Sequence, residues 1–254
     1  MNQPAANKPD YGNWVSTRLL YIPGAICLLV AGLSFLIPAL AVFAIAFLAV
    51  FVYFAHARYR LSPRGGNVQA RVQALVLDHL DWEGEGKAID IGCGNGPLTI
   101  AVAKRFPKAE AIGVDSWGAA WEYSKGVCER NAEIEGVSER TTFQRASAAA
   151  LPFEDSTFEA AVSNLVFHEV RQVRDKKALI KEALRVVRKG GRFAFQDLFL
   201  WKSVYGDPQE LLATIREWGI EEVRFVPTRD LKFIPRALKL PFMLGTIGIL
   251  EGKK

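Results

Sequence analysis

The stretch Ala88–Ile100, reading Ala-Ile-Asp-Ile-Gly-Cys-Gly-Asn-Gly-Pro-Leu-Thr-Ile, constrains this chain more than any other. A short apolar run carrying the acid Asp90 passes into a loop with glycine at every second position, Gly92, Gly94 and Gly96, and with Cys93 between the first two. Leu98-Thr99-Ile100-Ala101-Val102 then opens a helix. Strand, tight loop and helix start, in that order, make a ligand cradle. Glycine accepts a positive φ and lets a ligand approach the backbone, and a helix N-terminus offers unpaired N–H groups. A second strand, Glu110–Val114, ends at Asp115, about 20 residues beyond the loop, where a carboxylate reaches a ribose diol. Loop and acid together point to a nucleoside-type ligand.

The spacing decides which nucleoside. A dinucleotide site uses Gly-x-Gly-x-x-Gly with a pyrophosphate on the helix dipole, whereas this loop is Gly-x-Gly-x-Gly with an acid in the strand before it. Asp90 would repel a pyrophosphate and suits a ligand with an ammonium or sulfonium charge, so a nicotinamide oxidoreductase is disfavoured. Over Asp90–Gly96 the sequence resembles the class I S-adenosylmethionine-dependent methyltransferases, whose first motif has this form. The resemblance continues through Asp115, through Leu151–Glu159, Val162–His168 and Leu184–Gly191, in the family's motif order, and covers about residues 66–254. It implies a Rossmann-like α/β fold, a seven-stranded methyltransferase sheet with an antiparallel last strand, and S-adenosyl-L-methionine as cofactor. On that resemblance the cofactor-binding residues are Asp90, Gly92, Cys93, Gly94 and Gly96 in the loop and Asp115 and Ser116 after the second strand. Ser147 and Ala148 would stand beside the adenine, and Asn164 and Leu165 close the fourth strand near the reacting methyl.

Ser147 departs from the pattern, because the family carries Asp there to accept a hydrogen bond from the adenine amino group. A hydroxyl accepts the same bond without charge assistance, which predicts weaker cofactor binding. It also keeps open a membrane-tethered scaffold that binds the cofactor without catalysis.

The segment Asn164-Leu165-Val166-Phe167-His168-Glu169 differs from the Asn/Asp-Pro-Pro-Tyr type motif of enzymes that methylate base nitrogens. It resembles the branch acting on small molecules such as quinones, sterols and other lipids. His168, whose ordinary pKa lies near neutrality, and Asp197, at the end of the next strand, are the candidate catalytic residues. A methyl on a sulfonium is already electrophilic, so holding the reactants in line supplies most of the catalysis. An oxygen or acidic carbon acceptor would need a base, and a hydrophobic thiol little help.

The front of the chain is of another kind. From Leu19 to Ala55, 37 residues, there is no charged side chain. One helix of that length would measure about 55 Å, against a hydrocarbon core of about 30 Å. The stretch also exceeds any signal-peptide core. Two short transmembrane or re-entrant helices, about 19–35 and 40–54, fit better, with Gly32, Ser34 and Pro38 making the turn. Lys8 and Arg18 before the hairpin, and Arg58, Arg60, Arg64 and Arg71 after it, place both ends in the cytoplasm. The expected organisation is a membrane anchor over 1–60, a linker over 61–66 and a catalytic domain over 67–254. Its partners would be membrane lipids and a hydrophobic small-molecule acceptor.

Residues 1–60 hold a net +3 of the chain's +5, which leaves too little on the rest to argue for nucleic acid. Cys27, Cys93 and Cys128 are widely spaced and match neither a disulfide framework nor a metal pattern. A homo-oligomer stays open.

Periodicity supplies the remaining elements. Helices are expected over 68–80, over 118–134 with Ser116 as cap and Trp117 and Trp121 at its opening, over 176–189 ended by Gly190-Gly191, and from Asp207 onward. Strands are expected at 141–144, 160–164, 192–195, 220–226 and 244–250. Thr228–Leu240 reads as a basic amphipathic segment, with Leu231, Ile234 and Leu238 as its stripe.

Overall fold

The computed structural model describes residues 8–118, 122–220 and 222–254. They form two compact units, one of residues 13–71 and one that joins the stretch ending at Gly12 to Val72–Lys254.

In the first unit, helix α1 (Arg18–Leu33) and helix α2 (Ala41–Leu61) pack along one another. The chain turns between them where the breakers predict. Ser34 Oγ donates to Ala31 O at 2.7 Å, and Pro38 opens a single 3-10 turn. α2 runs well beyond the expected end at residue 54, because nothing between Tyr53 and Leu61 breaks a helix; Ser62-Pro63 is the first stop. The expected linker is therefore the end of α2 followed by a 3-10 turn, Pro63–Gly65. Pro38–Leu61, 24 residues whose most apolar 18-residue window has a mean hydropathy of 2.4, is long and apolar enough to cross a membrane. α1, with 16 residues, is about 24 Å long and falls short of a full hydrocarbon core. Many apolar side chains of the hairpin face outward, with Leu28 in α1 77%, Val42 in α2 70% and Phe35 in the turn between them 90% exposed. The two chain ends of the hairpin meet. Asn13 Nδ2 donates to Arg58 O at 3.1 Å, the Arg58 guanidinium donates to Val15 O, and Trp14 N donates to Gln69 Oε1 at 3.0 Å.

The second unit follows helix α3 (Val68–Asp78), which begins in the first. Its elements are β1 (Gly86–Ile91), α4 (Pro97–Arg105), β2 (Ala109–Asp115), α5 (Lys125–Ile134), β3 (Thr141–Arg145), β4 (Phe158–Asn164), α6 (Lys177–Arg185), β5 (Val187–Asp197), α7 (Lys202–Tyr205), α8 (Pro208–Glu217), β6 (Glu222–Pro227) and β7 (Gly248–Lys253). The sheet order is β3-β2-β1-β4-β5-β7-β6. β1 to β5 pair parallel, and β7 runs antiparallel between β5 and β6. Side-chain alternation splits the core in two. Ile89, Ile91, Ala161, Phe193 and Phe195 face α6 and α8 on one side. Ala88, Val162 and Ala194 face α3, α4 and α5 on the other. The order reverses between β1 and β4, and ligands bind open α/β sheets at such a switch point, outside the strand ends.

Several boundaries differ from expectation. α6 stops at Arg185, and Gly190-Gly191 lies inside β5. A Cβ on Gly191 would stand 2.7 Å from Val187 Cγ1 and 2.9 Å from Glu159 O, at the register shift where β5 joins β4. The two glycines thus serve a strand irregularity, not a helix cap. α5 starts at Lys125 with Ser124 as its cap, accepting from Val127 N; Trp121 lies outside the described residues. β7 begins at Gly248, later than expected. Thr228–Leu240 is a chain of turns with one short 3-10 helix, Arg236–Leu238, and Ile234 and Leu238 are buried in the protein. His79, just past the end of α3, is half-buried, its Nδ1 2.5 Å from Glu251 Oε2.

Candidate active site

The glycine loop leaves the end of β1 beside the ends of β2 and β4. Gly92 N and Cys93 N both donate to Val114 O, at 2.7 and 3.0 Å. Gly92 holds φ +77°, and a Cβ there would meet Val166 Cγ2 at 2.2 Å. Position and neighbour both demand glycine. Gly96, at φ +81°, caps α4, with Pro97 in the first turn. Cys93 and Cys128, remote in sequence, come together under the loop. Cys128 Sγ donates to Gly94 O at 3.1 Å, and burial, then the hydrogen bond with Cys128, push the Cys93 thiol well above its ordinary range.

Two carboxylates bracket this loop. Asp90 is 2% exposed; its Oδ2 accepts from Thr99 Oγ1 at 2.7 Å, while its Oδ1 has no partner. Burial raises its pKa to about 7 against the opposing bond from Thr99. Asp115, at the end of β2, accepts from Gly94 N at 2.9 Å and from Trp117 N at 2.7 Å. Burial raises its pKa, and the N–H groups of Trp117, Gly94 and Ser116 oppose that shift. Trp117 holds φ +43° and is nearly buried, and its Nε1 donates to Gly94 O at 2.8 Å. The indole thus locks the loop to the second residue after Asp115. Ser116 is exposed beside it.

Beyond β3, Ala146 N donates to Asp115 O at 3.0 Å, which sets the 146–148 turn beside the ribose acid. Ser147 is exposed, and its Oγ accepts from Ala149 N at 3.2 Å; Ala148 packs against the core. At the end of β4, Asn164 Oδ1 accepts from Gln196 Nε2 at 2.6 Å, and Leu165, at φ +58°, donates its N–H to Gln196 O at 2.8 Å. A leucine in the left-handed region is costly backbone, of the kind kept at functional turns.

His168 and Asp197 meet at the same strand ends. His168 Nδ1 lies 2.6 Å from Asp197 Oδ1, and His168 Nε2 lies 3.4 Å from Glu169 Oε1. Asp197 is fully buried. Its Oδ2 accepts from Val166 N and Phe167 N at 3.1 and 2.8 Å, and its Oδ1 accepts from Leu198 N at 2.6 Å. Burial alone would raise its pKa, but the charge of His168 and these N–H groups hold it below the usual carboxylate range. Burial likewise disfavours the charged imidazole, yet Asp197 first and Glu169 second outweigh it and raise the His168 pKa to about 10. At neutral pH His168 is therefore an imidazolium with its proton held, the opposite of a poised base. Asp197 has no surface for an acceptor; it ties the 166–168 turn to β5.

The residues fit S-adenosylmethionine. A buried carboxylate oxygen without a partner wants a cationic donor, which an amino acid ammonium supplies and a pyrophosphate does not. Comparison with known proteins agrees. Residues 89–195 match the family model described as a methyltransferase domain. A ubiquinone/menaquinone biosynthesis C-methyltransferase UbiE from Syntrophotalea carbinolica is 27% identical over 137 residues, 53% of this chain and 54% of its own length. A protein of the same name from Desulfotalea psychrophila is 28% identical over 208 residues, 72% of this chain and 80% of that one. A solved geranyl diphosphate methyltransferase in complex with its cofactor superposes with a TM-score of 0.57 at 18% identity, over 78% of this chain and 89% of that one. Residues 89–195 carry a methyltransferase domain of the S-adenosylmethionine-dependent kind. The chain spans about half the length of most of the curated relatives it matches.

Within this methyltransferase domain the sequence left several site residues unseen. Thr99, Val166, Tyr123 and the segment Asp10–Gly12 all sit on the loop. Asn95 Nδ2 and Asn131 Nδ2 both donate to Asp10 O, at 3.1 and 2.9 Å, and Asp10 N donates to Asn131 Oδ1 at 2.8 Å. A Cβ on Gly12 would strike the Tyr123 ring at 2.7 Å. Thr99 had a signal, a hydroxyl in the first turn of the helix that follows the acid. Asp10–Gly12 had none, since a strap of three residues has no periodicity to read.

Proposed function

We propose that this protein is a membrane-bound methyltransferase that transfers a methyl group from S-adenosyl-L-methionine to a lipid or other hydrophobic small molecule at the cytoplasmic face. The observation that carries this reading is the outward-facing apolar surface of α1 and α2 on a chain that also holds an intact cofactor loop. An apolar surface of that extent in water would be an association hazard; in a bilayer it is ordinary. The meeting of Asn13 and Trp14 with Arg58 and Gln69 supports a hairpin whose two ends emerge on one side, and the cations around them support the cytoplasmic side. The relatives named for ubiquinone and menaquinone biosynthesis support a hydrophobic ring as the acceptor.

When bound, the cofactor supplies an electrophilic methyl. The residues do the rest. Asp90 would take the ammonium and Asp115 the ribose diol, with the glycine loop lying against the ligand. Asn164 and Leu165 bound the acceptor side. His168, a cation held by Asp197, is suited to stabilise the negative charge left on a ring oxygen of the acceptor when its hydroxyl gives its proton to water. The oxygen or ring carbon then faces the methyl, and a ring carbon that takes it loses its own proton to water. His168 does not remove a proton itself.

Purified full-length protein in vesicles, given methyl-labelled S-adenosylmethionine and demethylated isoprenoid quinols, tests the acceptor class. Labelled quinol is expected. Cofactor binding without label in any hydrophobic acceptor would favour the scaffold reading that Ser147 kept open.

A further inference from the structure

The 228–247 connection leaves β6 at Pro227 and enters β7 at Gly248, both paired across the sheet, and Gly248 also pairs with Asp197. It therefore stands at the same end of the sheet as the glycine loop and His168. Its construction has three layers. Ile234, Leu238 and Leu244 are buried and root it in the protein. Leu244 N donates to Leu238 O at 2.9 Å, Gly245 N to Leu240 O at 3.0 Å and Thr246 Oγ1 to Pro241 O at 2.7 Å, so the 238–246 turn is fixed. At its tip stand Leu240 and Phe242, 38% and 51% exposed. Among the described residues of the catalytic unit, no other large apolar side chain is classed as exposed.

Cations lie in the segment that leads to that tip. Arg229 and Lys239 share Asp230. Lys232 and Arg236 are exposed and make no ion pair among the described residues. The segment carries four cations against one acid. A fixed apolar tip at the end of a basic segment is the pattern of a surface that sits in a bilayer interface, with rings and aliphatic chains below the headgroups and cations at their level.

We infer that the turn around Leu240 and Phe242 is a membrane-contact surface for anionic lipid, which holds the acceptor end of the catalytic unit at the bilayer. This rests on the reading of the chain as membrane-bound and adds to it a second contact, independent of the hairpin. It gives a hydrophobic acceptor a route into the site without passage through water.

The test uses the full-length protein in vesicles of phosphatidylglycerol and phosphatidylcholine, with the photoreactive residue p-benzoylphenylalanine at position 242, at 43 in α2, or at 139. Glu139 is exposed just before β3, at the opposite end of the sheet. Lipid adducts are expected from positions 242 and 43 and none from 139. Lys232→Gln and Arg236→Gln should each lower the adduct at 242 about fivefold, the weight of one cation near an anionic surface, and leave the adduct at 43 unchanged. Adducts at 43 without any at 242 would overturn the contact surface and leave the hairpin reading standing. Adducts at neither would overturn both. An adduct from 242 to a second copy of the protein would make this face a self-interface instead, and an adduct that survives both charge removals would overturn the anionic-lipid contact.

Discussion

Asp90 carries a pKa of about 7 because burial leaves one of its oxygens without a partner. A cationic ligand in the loop stabilises the ionised form, so the bound pKa falls below the free one. Affinity for S-adenosylmethionine should therefore rise with pH up to about 7 and level off above it, with protons released on binding below that pH. Titration calorimetry in buffers of different ionisation heat measures both, and Asp90→Asn should abolish the pH dependence. His168 gives a stability prediction of opposite sense. Its folded pKa, about 10, lies above its ordinary 6.5, so its contribution is complete below pH 6.5 and is lost as pH rises toward 10. His168→Gln should flatten that alkaline loss in unfolding curves. Gly92→Ala drives a methyl into Val166 at a positive φ; roughly 1–3 kcal/mol of stability and most cofactor binding should go. The loop and its acids were legible because motif position is local. The charge state of His168 was not, because it is set by the partner of the imidazole, and Asp197 lies 29 residues away.

At the scale of elements, the 166–168 turn depends on a single side chain. Asp197 accepts from its backbone and from His168 at once. Asp197→Ala leaves those backbone donors unpaired and the His168 cation with only Glu169 beside it, at a cost of about 3–5 kcal/mol, read in denaturant unfolding, whereas a surface acid would cost almost nothing. Strands and helix faces were legible, because short apolar runs mark β1 and β4 and the 3.6-residue period marks α3; the seven-stranded sheet with its antiparallel last strand came from the family resemblance. Ends were legible only where a breaker acts alone. Gly190-Gly191 looked like a helix stop but serves the irregularity in β5. The helix expected over 176–189 ends early, at Arg185, whose guanidinium binds Phe153 O, Leu151 O and the carboxylates of Asp155 and Glu182. Tertiary partners made both decisions. The Leu231, Ile234 and Leu238 stripe was real, but its buried members are the root of a turn.

In the whole molecule a hydrophobic hairpin and a methyltransferase domain share one chain, and we propose that the two serve one lipophilic acceptor. Removing residues 1–60 should abolish turnover of that acceptor in membranes. The measurement that tests the claim most directly uses native membranes containing the protein, methyl-labelled S-adenosylmethionine and extraction with organic solvent, with Asp115→Ala as the control. The account predicts label in the organic phase that disappears in the variant, on a compound whose mass then names the acceptor. Label confined to the aqueous phase, or to protein, and still dependent on Asp115 would contradict it.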